Sequence, residues 1–417
     1  MADQNLMEKI VSLAKRRGFV FPGSEIYGGL AGTYDYGPLG TLLQENVKQL
    51  WFRMFVEERN AKKDGDMYPL DAAILMNPKV WEASGHVQTF ADPLADGKMF
   101  NTMFKTSVGA GTEVSTVYLR PETAGGIFTN FKNVVDSMHP YMPFGIAQVG
   151  KAFRNEIAPR DFIFRLRELK QMEVEYFVNP KDWEKAFEEW RRTMHCFAEV
   201  AGLSKEKVHE LEVPDGKRAH YSKRTIDFEF DFPFGRSELW GLAYRTDFDL
   251  SAHAEASNVA FTYLDEETKE KFVPHVIEPS LGVDRTILAL LVSAYREDEL
   301  GGEKRTYLSL SARIAPIKAM VSPLLRNKQA LVDTAQEIHS TLRKIHPWIV
   351  WDDNGNIGKR YRRQDEIGTP FCVTIDFDTL GETPSLKNTV TLRHRDTGEQ
   401  ERLTVPEVVE RIRTAIE

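Results

Sequence analysis

Arginines lie beside carboxylates in two separate segments of the chain. The first segment contains Arg154 and Glu156, and the second, residues 278–285, ends in Arg285 at the start of an apolar stretch. Arginine keeps its charge at any working pH, and its rigid fork of donors fits phosphate oxygens. Two such arginines on separate elements predict a site that holds the two ends of a nucleoside triphosphate.

The first segment continues into a second charged strand. A turn at residues 157–161 leads to a strand that carries Arg165, Arg167, Glu168 and Glu173. A single arginine and glutamate two residues apart could form an ordinary surface ion pair. So many charges in one hairpin favour ligand binding, because charges are costly to bury unless they meet ligands or each other.

Two further segments place acids near arginines. Arg120-Pro121-Glu122 precedes a predicted helix, and Glu238 precedes a segment, residues 245–249, that contains one arginine and two aspartates. Each could be a capped helix or an ordinary turn. In a cleft with arginines, these acids could instead bind Mg²⁺ beside phosphates, or an ammonium group.

Length and composition indicate a globular protein of two or three domains. The chain has 417 residues, of which 42% are hydrophobic and 28% charged, and its net charge is −8. This charge argues against a general nucleic-acid coat, which would be basic, but it is compatible with a local basic groove.

The cysteine content favours a reducing, cytoplasmic environment. Cys196 and Cys372 lie in apolar stretches without cysteine or histidine at ligand spacing, so we predict two buried thiols and expect no zinc. The sequence contains no run of about 18 apolar residues, so we predict no membrane span. Residues 1–17 predict an amphipathic helix and not a signal peptide.

The apolar pattern predicts an α+β body over residues 1–306, with a mainly antiparallel sheet. Residues 39–55 carry a broad apolar stripe that suits either the core or a dimer interface. Alternation over residues 172–177 predicts a half-buried strand. Residues 178 to about 230 are interpreted as an insertion between sheet strands, and residues 285–295 as an apolar helix.

Strands that alternate with helices predict a small α/β domain over residues 307–417. It contains a basic run of Lys359, Arg360, Arg362 and Arg363 around Tyr361. This run could contact phosphates and stack on bases of a nucleic acid, or it could be a solvated helix face.

The paired segments resemble motifs 2 and 3 of the class II aminoacyl-tRNA synthetases. From about residue 4 to the C-terminus, segments in the same order resemble those of the homodimeric glycyl-tRNA synthetases. They are 27–32 (YGGLAG), 35–40 (DYGPLG), 120–124 (RPETA), 153–157 (FRNEI), 171–175 (QMEVE), 278–285 (EPSLGVDR) and 358–371 (GKRYRRQDEIGTPF). The chain departs from this family at Leu169, where many members have phenylalanine, and at Gly125, where glutamine is usual.

The resemblance implies a class II catalytic domain, a C-terminal anticodon-binding domain, a homodimer, and substrates glycine, ATP with Mg²⁺, and tRNA(Gly). Arg154, Glu156 and Arg285 would be catalytic, and Glu238 would help to hold Mg²⁺. The implied ATP-binding residues are Arg154, Asn155, Glu156, Phe164, Arg165, Leu166, Arg167, Glu168, Leu169, Glu238, Leu239, Gly282, Val283, Asp284 and Arg285. The implied glycine-binding residues are Glu122, Leu169, Lys170, Gln171, Met172, Glu173, Glu278, Pro279, Ser280, Leu281 and Gly282. Lys359, Arg360, Arg362 and Arg363 would bind tRNA.

Two other functions remain open at this point. One is a non-catalytic nucleic-acid-binding protein on the same scaffold, like the accessory subunit of mitochondrial DNA polymerase. Such relatives tend to lose the arginines that bind ATP, and Arg154 and Arg285 are present here. The other is a class II ligase for threonine, proline or histidine, which the acidic residues around Ser280 disfavour.

Overall fold

The computed structural model describes residues 4–60, 65–94, 96–111 and 114–417. The α-helices of these residues are α1 (Gln4–Arg16), α2 (Pro38–Phe52), α3 (Glu58–Asn60), α4 (Lys79–Ala83), α5 (His86–Thr89), α6 (Ala124–Met138), α7 (Trp183–Ala201), α8 (Phe248–Ser257), α9 (Val283–Ala294), α10 (Gln329–Leu342), α11 (Ile357–Ile367), α12 (Phe377–Leu380) and α13 (Val405–Ile416). None of them is long and apolar enough to cross a membrane.

The β-strands are β1 (Val20–Pro22), β2 (Tyr34–Tyr36), β3 (Asp66–Pro69), β4 (Ala91–Pro93), β5 (Met99–Asn101), β6 (Lys105–Val108), β7 (Ser115–Tyr118), β8 (Phe144–Phe153), β9 (Glu168–Val178), β10 (Val208–Glu212), β11 (Arg224–Phe232), β12 (Gly235–Thr246), β13 (Tyr263–Leu264), β14 (Lys271–Phe272), β15 (His275–Gly282), β16 (Tyr295–Leu300), β17 (Glu303–Leu308), β18 (Ala319–Pro323), β19 (Ile349–Trp351), β20 (Phe371–Ile375), β21 (Thr389–His394) and β22 (Gln400–Thr404).

A seven-stranded sheet forms the centre of the larger domain. Its order is β10-β11-β12-β15-β9-β8-β3, and its strands run antiparallel except for the pair β3 and β8 at one edge. Helices α2, α7 and α9 contribute to the large core on one face, and α6 and α8 contribute to a second cluster. This arrangement confirms the predicted α+β class with an antiparallel sheet.

The central strand β9 is buried on both faces, whereas alternation predicted a half-buried strand. Met172, Val174 and Tyr176 point into the large core. Glu173 and Glu175 point to the opposite face and are also almost inaccessible to solvent. The prediction was wrong because alternating carboxylates normally mark a solvated face, whereas here Glu173 lines a cleft and Glu175 lies buried behind it.

The predicted insertion over residues 178 to about 230 is wrong from Val208 onward. Helix α7 lies outside the sheet, but β10 and β11 belong to it, with β10 at the edge. An edge strand has one partner strand and tolerates charged side chains. The sequence of β10 therefore lacks the apolar alternation that identifies a central strand.

The apolar stripe over residues 39–55 lies in the core of its own chain. Leu43, Val47, Trp51 and Phe55 are fully buried in the large cluster. The structure therefore supports the core alternative for this stripe. Of the two predicted buried thiols, Cys372 is buried, but Cys196 is exposed because it lies on the outer side of α7.

The C-terminal domain has its own sheet in the order β19-β18-β20-β21-β22. Strand β18 is parallel to β19 and β20, and β21 and β22 follow antiparallel. Helices α10 and α13 pack on it in a separate apolar cluster, which confirms the predicted α/β class. The proposed boundary at 306/307 falls within β17, and buried residues up to Ala315 still belong to the larger core.

Candidate active site

A cleft of about 540 Å³ opens over β9, β12 and β15 in the middle of the large sheet. It brings together residues that are distant in sequence but were assigned to one site. The predicted residues that line it are Glu122, Arg154, Glu156, Phe164, Arg165, Leu166, Leu169, Lys170, Gln171, Glu173, Glu238, Leu239, Glu278, Ser280, Gly282, Asp284 and Arg285.

Seven predicted residues do not line this cleft, so their assignment stays a prediction. They are Asn155, Arg167, Glu168, Met172, Pro279, Leu281 and Val283. Side chains alternate between the two faces of a strand, so Met172 and Leu281 point into the apolar core while their neighbours Glu173 and Ser280 face the cleft. Glu168 is exposed and pairs with Lys151 on the neighbouring strand.

Arg285, at the start of α9, lies against an aromatic ring and a carboxylate at one end of the cleft. Its guanidinium carbon lies 4.5 Å from the centre of the Phe164 ring. Its Nη1 donates to the Glu238 carbonyl oxygen at 2.9 Å and lies 3.2 Å from a carboxylate oxygen of Glu238. A flat cation so placed can stack on a base and reach a phosphate with its edge.

Arg154 and Glu156 directly follow β8 and also line the cleft. Arg154 Nε donates to the Pro121 carbonyl oxygen at 3.0 Å, which fixes the direction of the side chain along the cleft. Glu156 is held by Arg165, whose Nε donates to it at 2.6 Å. Arg154 and Glu156 do not pair with each other, as their spacing allowed, but bind separate partners. Both side chains line the cleft.

Arg167 lies outside the cleft but supports its wall. Its Nη2 donates to the Glu156 carbonyl oxygen at 3.1 Å, and its Nη1 donates to the Ala31 carbonyl oxygen at 2.7 Å. The Arg167 amide also donates to the Gly32 carbonyl oxygen at 2.9 Å. Arg167 therefore joins the glycine-rich loop near the N-terminus to the segment that carries Glu156.

Asp284 lines the cleft but is occupied by protein groups. It accepts hydrogen bonds from the Tyr36 hydroxyl at 2.7 Å and from the Lys170 amide at 2.8 Å. Lys170 Nζ in turn donates to Gln44 Oε1 on α2. These bonds join the glycine-rich region, α2 and α9, so Asp284 positions Arg285 more than it offers acceptors to a ligand.

Two carboxylates near Arg285 also line the cleft. Asp227 on β11 and Glu238 on β12 both line the cleft. Burial, with repulsion from Glu238 and Glu229, raises the pKa of Asp227 to about 6. Oxygen donors that repel one another in this way suit a hard divalent cation such as Mg²⁺.

The other end of the cleft is acidic. Glu173 accepts from the Ser280 hydroxyl at 2.7 Å and from the Thr123 hydroxyl. Glu122 Oε2 lies 3.3 Å from His86 Nε2. Burial raises the pKa of Glu122, but His86, Arg245 and Arg154 outweigh burial and lower this pKa to about 2. Glu122 therefore stays ionised and can attract an ammonium group.

A buried arginine lies behind these acids. Arg245 is 1% exposed and forms a two-point contact with Asp249, at 2.8 and 2.9 Å. It also donates to Glu278 and lies 3.8 Å from the centre of the Tyr221 ring. The Arg245 charge thus stabilises acids that would otherwise repel one another in a medium of low dielectric constant.

The site residues predicted from sequence did not include Glu175, His86 or Asp227, and the segment with Arg245 and Asp249 was left open between a ligand site and an ordinary turn. Arg245 lies near the end of β12 and Asp249 in the first turn of α8, and their spacing of four residues was also compatible with an ordinary helix start. Glu175 follows Glu173 at the strand period of two, and this spacing could have indicated that both face the site. No local sequence pattern identifies His86 or Asp227 as residues of the site.

The basic run on α11 is largely engaged within its own domain. Arg360 is 1% exposed and donates to Ser322 Oγ at 2.7 Å and to the Gly355 carbonyl oxygen. Arg363 forms a two-point contact with Asp352. The tRNA-binding assignment of Arg360 is therefore wrong, because a buried guanidinium with internal partners cannot meet a phosphate. Lys359 is exposed.

Comparison with known sequences identifies both domains. Residues 104–294 match the profile of the tRNA synthetase class II core domain (G, H, P, S and T), and residues 318–415 match that of the anticodon binding domain.

Full-length relatives carry one shared name. The chain is 45% identical to a glycine–tRNA ligase of Alkaliphilus oremlandii and 46% identical to one of Macrococcus caseolyticus, each over 98% of both chains. It is 44% identical to a glycine–tRNA ligase of Clostridium tetani over 100% of both chains. That alignment spans 476 positions, so the relative has stretches that this chain of 417 residues lacks.

Proposed function

Because the chain belongs to the glycine–tRNA ligase family of class II synthetases, we propose that its cleft activates glycine with ATP and transfers the glycyl group to tRNA(Gly). The observation that carries this proposal is the polarity of the cleft. Arg285 lies with Glu238 at one end, and Glu122 and Glu173 form the acidic end, next to which Arg154 donates to the carbonyl oxygen of Pro121. A triphosphate suits the first end and an ammonium group the second.

At the nucleotide end, Arg154 binds the α-phosphate, where the glycine carboxylate attacks and pyrophosphate leaves. Glu156, held by Arg165, accepts from the adenine amino group. Arg285 stacks on the adenine and reaches the γ-phosphate. Attack at phosphorus mainly requires alignment and charge neutralisation, so fixed guanidinium groups supply the needed chemistry without a protein nucleophile.

Asp227 and Glu238 fit the Mg²⁺ that accompanies ATP, because both present carboxylate oxygens beside Arg285. When bound, the ion would neutralise phosphate charge. In its absence Glu238 pairs with Arg285, so binding of Mg²⁺ and ATP has to separate this pair.

At the amino-acid end, Glu122, Glu173 and Ser280 surround the glycine ammonium. The Glu173 oxygens are already oriented by Thr123 and Ser280. Acids fixed in this way attract the ammonium, and a small pocket rejects larger amino acids sterically, so that no separate editing domain is required.

The C-terminal domain reads the tRNA, and the chain works as a cytoplasmic homodimer. Lys359 on α11 is exposed and can bind a phosphate of the tRNA. Arg326 is also exposed, and it is close enough to Arg360 for its charge to lower the pKa of that residue. The dimer contact is proposed at the glycine-rich loop, where Ile26 is 88% and Tyr27 is 87% exposed. Such exposure of large apolar side chains favours burial against a partner.

ATP–pyrophosphate exchange with glycine, alanine and serine tests this function. We expect exchange with glycine and at least a hundredfold less with the other two amino acids. Equal exchange with alanine or serine would indicate a ligase of another specificity. Absence of exchange with all three, in a protein that binds tRNA, would favour the non-catalytic binding protein.

A further inference from the structure

Glu175 is a fully buried carboxylate without a counter-charge of its own. It is 0% exposed, and neither of its oxygens has a hydrogen-bond partner among the described residues. A buried polar atom without a partner costs free energy, and an isolated buried carboxylate costs far more. Glu175 lies behind the cleft, of which it is not a lining residue.

The strand register places a second carboxylate opposite Glu175. Strands β9 and β15 pair Ile277 with Tyr176 and Ser280 with Glu173, so Glu278 lies across from Glu175. Oxygens of Glu173, Glu175 and Glu278 lie within 4.8 Å of one another. Like charges directly opposite each other destabilise a sheet, and burial strengthens this repulsion.

The cation nearest to Glu175, Arg245, already has other partners. Arg245 donates to Asp249 and Glu278, and Glu173 is held by two hydroxyl groups. Of the three carboxylates Glu173, Glu175 and Glu278, Glu175 is thus the one that accepts no hydrogen bond. It is therefore the one that is most favoured to be protonated. The charged groups that face it are Glu173 on its own strand, Glu278 on β15, Arg245 on β12 and Asp249 on α8.

We propose that Glu175 holds a proton while the amino-acid pocket is empty and releases it to water when the glycine ammonium enters. The proposal rests on the glycine-binding function above. The ammonium adds one positive charge beside Glu173 and Glu278, and loss of the proton removes one from behind them, so the charge of the cluster stays constant. Glu175 is therefore a positioning residue that acts through Glu173 and Glu278.

The direction of the pKa shift agrees with this geometry. Burial, followed by the negative charge of Glu278, raises the pKa of Glu175 well above its ordinary value. A bound cation has the opposite effect and favours the ionised form. Because binding releases a proton, glycine affinity rises with pH, about tenfold per pH unit, until the empty pocket itself loses the proton.

Calorimetric titration of the full-length protein with glycine tests the proposal. Titrations in phosphate and Tris at one pH differ in measured enthalpy in proportion to the protons released, because the two buffers have different ionisation enthalpies. We expect close to one proton per site for the unmodified protein and for Glu212→Gln, an exposed control on β10. We expect close to none for Glu175→Gln, which imitates the protonated carboxyl.

Each outcome separates the two proposals. Glycine binding with the same enthalpy in both buffers between pH 6 and 8 would overturn the proton release and leave the ligase function intact. Proton release that persists in Glu175→Gln would also overturn it, by assigning the proton to another group. If glycine did not bind and gave no exchange, the proposed function itself would fail. If Glu175→Gln did not fold, the unmodified protein alone would still decide.

Discussion

Arg285 and Glu238 form an ion pair across the nucleotide end of the cleft, with Nη1 of the arginine 3.2 Å from a glutamate oxygen. The same nitrogen also donates to the Glu238 carbonyl oxygen. The acid thus holds the guanidinium over the Phe164 ring. A ligand that binds to either side chain therefore competes with this ion pair.

Replacement of Arg285 by alanine should remove adenylate formation and leave the fold intact. Positioned cations at a transferring phosphate contribute about a hundredfold or more to the rate. We expect ATP–pyrophosphate exchange to fall by at least that factor, with unchanged thermal unfolding. Arg296→Ala, which removes an exposed arginine near the end of α9, is the control. Near-normal exchange in a folded Arg285→Ala protein would refute the assignment.

The binding of Mg²⁺ with ATP should depend on the ionisation of Asp227. Its pKa is raised to about 6, and Mg²⁺ requires the ionised carboxylate. Affinity should therefore rise as pH increases toward about 6 and become constant above it. Calorimetric titration between pH 5 and 8 measures this profile. In Asp227→Asn the rise should disappear, and an unchanged profile would mean that Asp227 does not contact the ion.

Neighbouring residues on α11 should behave differently when truncated. Arg360 is buried with three internal acceptors, Ser322 Oγ and the carbonyl oxygens of Pro323 and Gly355. Arg360→Ala should lower the free energy of unfolding by about 2 kcal/mol or more. Lys359→Ala should change it by less than about 0.5 kcal/mol. Chemical denaturation measures both, and equal losses would contradict the assigned burial.

Lys359→Ala should weaken tRNA charging while it spares ATP–pyrophosphate exchange. The residue is exposed and far in sequence from the cleft, so we expect its charge to affect only the binding of tRNA phosphates. The KM for tRNA should rise, and more strongly at low salt than at high salt. Equal loss of both activities would argue against a separate tRNA-reading domain.

Tyr27→Asp should weaken the proposed dimer. Tyr27 and Ile26 expose most of their surface, and a charge at their contact with a second copy would have to be desolvated. Sedimentation at several concentrations should show monomers for this variant at concentrations where the unmodified chain is dimeric. Leu264→Asp is the control, since Leu264 is an exposed leucine in another part of the chain. If the unmodified protein were monomeric, the proposed dimer would be refuted.

The departure at Gly125 has a structural cause. A Cβ atom there would lie 2.9 Å from the ring of Trp81, which is fully buried. Gly125→Ala should therefore destabilise the protein by about 1–3 kcal/mol through overpacking. Gly216→Ala, where a Cβ meets no atom within 4 Å, should be nearly neutral. Thermal unfolding compares the two, and equal stability would mean that Trp81 moves freely.

The sequence by itself determined the class of both domains and the segments that form the cleft. Charged motifs such as the one around Arg154 and Glu156 are local, so they can be recognised directly in the sequence. The alternation of strands and helices is also local, because it follows from the periods of apolar residues. These features could be identified before any contact was known.

The tertiary structure alone decided which side chains share a site and which are enclosed. Glu175 lies opposite Glu278 because two strands distant in sequence pair in one register, and no local pattern fixes that register. Arg360 is buried because its side chain binds the end of β18 and the loop before α11, although the same sequence is compatible with an exposed basic face. Burial is a property of the assembled layers, so the charge of a residue is readable from sequence while its accessibility and partners are not.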